Sequence, residues 1–153
     1  MSFELRFLAH ERSIAAVLAD IVPPLEADSV GMLAEGLEAM RAEARAYPWG
    51  NFLAWRDGVA VGCCGFKNIP VPGEPPEIGY MTFPRAEGSG VATAMAGALV
   101  AIAAAAGQAR VIADTLPVLN PSGRALLRNG FVRAGEAIDP DEGPVWRWEW
   151  RAA

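Results

Sequence analysis

The chain reads Arg85-Ala86-Glu87-Gly88-Ser89-Gly90-Val91-Ala92-Thr93 between a predicted strand, Glu77–Phe83, and a predicted alanine-rich helix, Val91–Ala106. Its two glycines allow the backbone to approach a ligand closely and to direct successive N–H groups at it. The helix that follows adds its own free N–H groups and the positive end of its dipole. The segment therefore predicts a binding site for a pyrophosphate.

A Gly-x-Gly turn by itself also occurs as a simple connection before a helix, so its position in the chain matters. A dinucleotide-binding turn would follow the first strand and would carry a third glycine, where this chain has Thr93. A nucleotide P-loop would need Gly-Lys-Ser/Thr, which the sequence does not contain. The turn follows the fourth predicted strand, so both of these nucleotide folds are disfavoured.

The rest of the chain supplies strands and helices on either side of this turn. Asp28-Ser29 is predicted to cap the second helix, and Asp57-Gly58 is a favoured two-residue hairpin turn. In chain order the predicted strands are Phe3–Leu8, Asn51–Trp55, Val59–Phe66, Glu77–Phe83, Val111–Leu116, Phe131–Ala134 and Val145–Trp150, and the predicted helices are Ser13–Ile21, Val30–Ala46, Val91–Ala106 and Asn120–Asn129.

This order predicts the fold class. Antiparallel strands in the first half and a strand–helix–strand unit in the second imply an α/β domain with a mixed, mostly antiparallel sheet and helices on both faces. No repeat or linker interrupts the chain, which predicts a single domain over residues 1–153.

Composition excludes several kinds of partner. The net charge is −5 and the basic residues form no cluster, which disfavours binding to nucleic acid. The longest apolar stretch, Val91–Ala106, is rich in alanine and too short for a membrane span, and no secretory signal precedes the first strand. We therefore expect a soluble cytoplasmic protein without a membrane partner. Cys63-Cys64 has no metal-ligand spacing and predicts two buried strand thiols and no metal.

A second motif lies downstream of the fifth predicted strand. It reads Thr115-Leu116-Pro117-x-x-Asn120-x-Ser122-x-Arg124-x-Leu126 and is followed by Gly130-Phe131. Asn120 is a good helix N-cap and Pro121 a good first helical residue. Gly130 before Phe131 indicates a helix stop with an apolar anchor.

The two motifs together resemble the GNAT N-acetyltransferases, and the second is similar to their ribosomal-protein N-terminal acetyltransferase branch. The resemblance implies that acetyl-CoA is the co-substrate and that its pyrophosphate lies on the N–H groups of the turn. It also implies that the fourth and fifth strands splay apart, because CoA needs a gap between them, with the glycine turn at its mouth. A bulged fourth strand would then offer backbone N–H groups to the pantetheine arm and the thioester. Relatives often carry basic side chains where this chain has Glu87 and Ser89, which weakens the expected phosphate site. The cofactor-binding residues that follow from the resemblance are Met81, Thr82, Phe83, Arg85, Ala86, Glu87, Gly88, Ser89, Gly90, Val91, Ala92 and Asn120; Asn120 is either a helix cap alone or a cap that also binds the pantetheine.

Acetyl transfer to an amine needs a neutral amine, a stabilised oxyanion and a proton for the departing thiolate. Many GNAT enzymes use a tyrosine on the helix after the fifth strand, where this chain has Ala125, Leu126 and Leu127. Ser122 is the remaining hydroxyl there and is the candidate acid, with first-turn capping as its alternative role. Glu77 is the candidate base, and its alternative is a surface carboxylate at the start of a strand.

The sequence predicts an acetyl-CoA-dependent N-acetyltransferase without a metal but does not identify the acceptor. A protein N terminus and a small-molecule amine both fit, and a non-catalytic acyl-CoA-binding module is the alternative from a different class. A homodimer is compatible with the sequence. Trp146, Trp148 and Trp150 alternate on the last predicted strand, where they either pack against a helix or form an aromatic wall for the acceptor.

Overall fold

The computed structural model describes residues 2–153, and the predicted order of strands and helices is confirmed. A short 3-10 turn, Pro84–Ala86, precedes the third helix. The elements are β1 (Phe3–Phe7), α1 (Ile14–Ala19), α2 (Ala27–Glu43), β2 (Asn51–Arg56), β3 (Val59–Phe66), β4 (Ile78–Thr82), α3 (Val91–Ala105), β5 (Arg110–Thr115), α4 (Pro121–Arg128), β6 (Val132–Asp139) and β7 (Gly143–Arg151). No helix within residues 2–153 is long and apolar enough to cross a membrane.

The strands form two antiparallel sheets that touch at one edge. The first has the order β1-β2-β3-β4 and the second β5-β7-β6. Between β4 and β5 the ladder is reduced to one parallel bridge, Glu77 to Ile112, beside a hydrogen bond of 3.0 Å from the Ile112 N–H to the Pro76 carbonyl. Both strands run away from this bridge without further pairing, which confirms the predicted splay. Because β4 and β5 are parallel, the turn after β4 and helix α4 after β5 lie at the same open end of the gap.

Each face of the first sheet is covered by helices, as predicted for this fold class. Strand neighbours point to opposite faces, so Ile78 of β4 joins one core, and Met81 of β4 packs with the following Phe83 on the other. Helix α3 covers the first face with residues such as Met95 and Leu99, which are fully buried. Helices α1 and α2 cover the opposite face. The two faces of β4 therefore meet different surroundings.

Three predicted boundaries are corrected. Helix α2 begins at Ala27 after Glu26, so Asp28 lies in its first turn near the positive end of the helix dipole instead of capping it. The same helix ends at Glu43 and not at Ala46, because Ala44 has a left-handed backbone with φ 49°. Strand β6 runs to Asp139 and not to Ala134, since its side chains are mostly exposed and leave no apolar alternation to mark it.

Helix α4 packs closely on α3 and on the last strand. A Cβ added to Gly97 of α3 would lie 2.6 Å from the Asn129 Oδ1 atom, so the glycine admits that side chain. The Asn129 amide then donates to the Thr93 and Ala125 carbonyls at 2.9 and 2.8 Å and links the two helices. From below, Trp148 of β7 contacts Gly123 of α4. These contacts fix where α4 stands relative to the turn before α3.

Of the sequence-based predictions on side chains, the packing of the tryptophans is confirmed, and the burial of the thiols is confirmed for Cys64 but not for the half-buried Cys63. The tryptophans of β7 pack on the helical core: Trp148 is 3% exposed, and Trp146 and Trp150 lie against the same cluster. Cys63 and Cys64 are free thiols within β3. Burial raises the pKa of Cys63 to about 11 and raises that of Cys64 further, so neither thiol is a nucleophile near neutral pH.

Candidate active site

A groove of about 600 Å³ lies at the open end of the gap between the sheets. Four parts of the chain form its walls: the end of β4, the glycine turn, the start of α3 and helix α4. The lining residues are Tyr80, Thr82, Glu87, Gly88, Gly90, Val91, Ala92, Thr93, Pro121, Ser122, Arg124 and Arg128. The structure thus brings the glycine turn, Thr82 and Ser122 of the sequence-based prediction into one cavity.

The glycine turn presents a run of free backbone donors. Gly88 and Gly90 have φ of 75° and 81°, a left-handed backbone that glycine adopts without strain. Within residues 2–153, the six N–H groups from Gly88 to Thr93 have no hydrogen-bond acceptor, and the first helical bond of α3 is donated by Ala94. The predicted run began at Arg85, but the N–H groups of Ala86 and Glu87 are used inside the 3-10 turn. The free donors therefore lie two to three residues further along than predicted.

Two arginines hold this turn in place. The Arg85 guanidinium donates to the Ala60 carbonyl at 2.7 and 3.1 Å and to the Pro23 carbonyl at 2.6 Å. Arg56 donates to the Ser89 carbonyl at 2.8 Å. The side chain of Arg85 is thereby committed to the backbone of β3 and the loop after α1. Its role is to anchor the turn, and it is not a free cation for a phosphate.

Strand β4 has a regular register with β3, from Gly62 opposite Thr82 to Phe66 opposite Ile78. The bulge expected in β4 is not there; the irregularity lies between β2 and β3, at Ala54 and Trp55. The N–H of Phe83 donates to the Val61 carbonyl at 2.9 Å, and antiparallel alternation commits Met81 to β3 in the same way. Thr82 and Tyr80 are the residues whose N–H groups face the gap, so Met81 and Phe83 are corrected as backbone donors.

Ser122 lies within hydrogen-bond reach of a tyrosine that the sequence reasoning did not assign. The Ser122 hydroxyl donates to the Tyr80 Oη atom at 3.2 Å, and the Tyr80 hydroxyl donates to the Ser122 carbonyl at 2.9 Å. Burial raises the pKa of Tyr80 to about 12, although the hydrogen bond from Ser122 lowers it in part. Tyr80 therefore remains a neutral hydroxyl across the physiological range. Its sequence signal was its place two residues before Thr82, on the same face of β4.

Asn120 caps helix α4, as predicted. Its Oδ1 atom accepts a hydrogen bond from the Gly123 N–H at 2.9 Å. This bond uses the acceptor of the amide. Among the described residues its two Nδ2 hydrogens have no acceptor, so the same side chain retains donors for a ligand.

Glu77 stands apart from the groove. It lies where the two sheets meet, and its carboxylate forms an ion pair with Lys67 at 3.3 Å. The Lys67 side chain crosses Gly79, where an added Cβ would come within 2.9 Å of the lysine Cε. Gly79 and Glu77 share the face of β4 that α1 and α2 cover, whereas Tyr80 and Thr82 point to the other face. The two predicted catalytic residues, Glu77 and Ser122, thus lie at opposite faces of β4.

An open sheet, a run of free N–H groups at the mouth of its gap and hydroxyls inside define a class of α/β domains that bind a phosphorylated ligand between the sheets. A model of the acetyltransferase (GNAT) domain family matches residues 6–132, and the chain therefore belongs to the GNAT acetyltransferases. Acetyl-CoA is the co-substrate of this family. Within residues 2–153 no three His, Cys, Asp or Glu side chains lie close enough to hold a metal ion.

Solved structures with the same fold include acetyltransferases of different kinds. The chain is similar to the aminoglycoside acetyltransferase AAC(6')-Ib in complex with coenzyme A, with a TM-score of 0.71, 19% identity and coverage of 98% of this chain and 95% of the other. It is also similar to the ribosomal-protein-S5-alanine acetyltransferase from Vibrio fischeri, with a TM-score of 0.70, 15% identity and coverage of 97% and 92%. Comparison with curated protein sequences found no match. At these identities the structures establish the fold alone.

Proposed function

We propose that this protein transfers the acetyl group of acetyl-CoA directly to a primary amine. The observation that carries the proposal is the single groove that joins six free N–H groups, at Gly88–Thr93, to the hydroxyl pair of Tyr80 and Ser122. An anion fits the first end of this groove, and a departing thiolate fits the second.

The backbone of the turn is the proposed cradle for the pyrophosphate. Its donors are fixed in advance by the anchors from Arg85 and Arg56, so little ordering is lost when an anion binds. Thr82 and Tyr80 offer N–H groups along the gap, which suit the amide-rich pantetheine arm and the acetyl oxygen. The Nδ2 hydrogens of Asn120 are proposed as a further donor to the same arm.

Tyr80 and Ser122 are assigned to the departing thiolate. In the proposed reaction the amine nitrogen forms a bond to the acetyl carbon and the C–S bond breaks. The nitrogen loses one proton and the sulfur gains one, so the number of protons is unchanged. Moving a proton outright from Tyr80, with a pKa of about 12, to a thiolate of ordinary pKa ~8.5 is uphill by roughly 5 kcal/mol. Tyr80 therefore acts by turning its hydroxyl hydrogen from the Ser122 carbonyl to the forming thiolate, and Ser122 supports it by donating to the Tyr80 Oη atom. The sulfur then takes its proton from solvent.

Glu77 is the proposed base for the incoming amine. It lies on the face of β4 opposite the hydroxyl pair, so an acceptor that reaches the gap from the α1–α2 side meets the carboxylate before the acetyl group. Direct transfer fits this arrangement, since the amine and the thiolate then occupy opposite sides of the reacting carbon. Lys67 holds the carboxylate in position through its ion pair.

The acceptor is proposed to be a protein N terminus or a small-molecule amine. The similar structures are named for both kinds of acceptor, an aminoglycoside and the alanine of ribosomal protein S5. The free thiols of Cys63 and Cys64 are compatible with a cytoplasmic location. The test is thiol release from acetyl-CoA in the presence of aminoglycosides, polyamines or peptides with different first residues. Turnover with one class identifies the acceptor, and no turnover with any amine despite binding of acetyl-CoA favours a non-catalytic module.

Replacing Gly90 by Val is expected to weaken acetyl-CoA binding at least roughly 30-fold, because the side chain would enter the groove beside the free N–H groups. Calorimetric titration measures the effect. The positive φ of 81° also makes a β-branched residue strained there, at about 1–2 kcal/mol. Gly73→Val is the matched control, since Gly73 has φ 86° and open space around it but lies in the loop before β4. Equal affinity in the two variants would contradict the proposed cradle.

Replacing Glu77 by Gln is expected to lower kcat roughly 100-fold, with the KM for acetyl-CoA little changed, because a positioned base is typically worth that factor. Glu74→Gln is the control, since Glu74 is an exposed carboxylate in the preceding loop. A kcat within threefold of the wild-type value would leave Glu77 with its structural role at the junction of the sheets.

A further inference from the structure

Two arginines of this protein have no partner among residues 2–153. All twelve arginines lie within the described residues 2–153, and ten of them form a hydrogen bond, an ion pair or a cation–π contact. These ten are Arg6, Arg12, Arg41, Arg45, Arg56, Arg85, Arg110, Arg133, Arg147 and Arg151. The remaining two, Arg124 and Arg128, both line the groove that holds the glycine turn.

The spacing of this pair and the position of Arg124 are unfavourable for the helix, whereas Arg128 lies in the last turn, where the helix dipole favours a cation. Arg124 and Arg128 stand four residues apart on α4, so their like charges are neighbours on one helix face and repel each other. Arg124 also lies in the first half of the helix, nearer its positive end, where a cation is disfavoured. No carboxylate among the described residues offsets these costs. Two free cations on one wall of a cavity point to an anion from outside.

The opposite wall supplies no side chain that neutralises an anion. The turn carries Glu87, an exposed carboxylate without an ion pair among the described residues. The only basic residue within the turn segment, Arg85, is committed to the backbone of β3 and the loop after α1. Positive charge in the groove therefore comes from α4, across from the free N–H groups, in a chain whose net charge is −5.

We propose that Arg124 and Arg128 form a cationic wall that binds a phosphate group of CoA and selects phosphorylated acyl carriers over uncharged thioesters. This inference rests on the proposed acetyl-CoA site. CoA carries about two negative charges on its pyrophosphate and close to two more on its 3′-phosphate. Backbone N–H groups provide dipoles and geometry at the turn, and the guanidinium groups provide full charges and bidentate hydrogen bonds.

The test is calorimetric titration of the wild-type protein and of R124Q, R128Q and the double variant with CoA and with dephospho-CoA. We expect each single change to weaken CoA binding about 5-fold and the double change about 20-fold, since partly exposed phosphate contacts have this strength. The salt dependence of the affinity should also become shallower in the double variant, because fewer charges remain to be screened. E87Q removes a negative charge from the groove, so it should tighten CoA binding about 2- to 5-fold, in contrast to the arginine variants.

R133Q is the matched control, because Arg133 is an exposed arginine on β6 stacked on Trp146 and does not line the groove. A loss with CoA only assigns the pair to the 3′-phosphate, and an equal loss with dephospho-CoA assigns it to the pyrophosphate; both results support the proposal. Wild-type-like affinity in the double variant, or an equal loss in R133Q, overturns the proposal while CoA binding by the wild type leaves the proposed function intact. Absence of CoA binding by the wild-type protein overturns both.

Discussion

Replacing Ser122 by Ala or Tyr80 by Phe is expected to lower kcat roughly 100-fold each, with the KM for acetyl-CoA little changed. Each change removes one hydroxyl of a pair whose oxygens lie 3.2 Å apart, and the loss of one positioned donor to a developing negative charge typically costs about 100-fold or more in kcat. Because the two hydroxyls act through one hydrogen bond, the double variant should lose much less than the product of the single losses. Steady-state kinetics on the four proteins measures this coupling.

The pH dependence separates this role from simple packing. Burial raises the pKa of Tyr80 to about 12, so its neutral donor form persists as the pH rises and is lost only near that value. The factor lost in Tyr80→Phe should therefore be constant from pH 6 to about pH 10. Tyr47→Phe is the control, since Tyr47 is 63% exposed. Additive losses in the double variant would contradict the proposal that the two hydroxyls act through one hydrogen bond. A near-normal kcat in both single variants would mean that backbone donors and solvent carry the reaction.

The second large effect is on stability. Replacing Trp148 by Ala is expected to lower the free energy of unfolding by about 4 kcal/mol, as is usual for a fully buried aromatic residue. The side chain is 3% exposed, lies beneath Gly123 of α4, and donates from its Nε1 atom to the Thr115 Oγ1 atom at 2.9 Å. Its removal leaves a cavity and takes away the donor to the Thr115 hydroxyl, which keeps only its own bond to the Leu116 carbonyl. Denaturant unfolding measures the loss.

This prediction also tests how the groove is built. Helix α4 carries Ser122 on a surface that Trp148 supports from below, so Trp148→Ala should weaken CoA binding although the tryptophan does not line the groove. Val132→Ala is the control for a neighbouring strand, because Val132 is 64% exposed and should change stability by less than about 0.5 kcal/mol. A loss below about 1.5 kcal/mol in Trp148→Ala would mean that α4 is held mainly by its contacts with α3.

The boundaries that the sequence predicted well belong to segments with strong local signals. Asp57 and Gly58 adopt positive φ and close a two-residue hairpin between Arg56 and Val59, as the Asp-Gly pair predicts. Gly90 and Asn120 are the N-cap residues of α3 and α4, at the positions that the motifs indicate. Strand β6 was underestimated because Val132–Asp139 is exposed and paired along β7, so its existence depends on a partner strand and not on its own pattern.

The sequence by itself determined the order of the elements, the position of the glycine turn and the family, because these depend on residues close together in the chain. Only the tertiary structure decided which groups are free. It paired the N–H of Phe83 with Val61, committed Arg85 to Ala60 and set Tyr80 against Ser122. It also left Arg124 and Arg128 without a partner in the part of the chain that the structure describes. Hydrogen-bond and charge partners come from segments far apart in sequence. Whether a donor or a cation remains available for a ligand is therefore settled only when the sheets and helices pack.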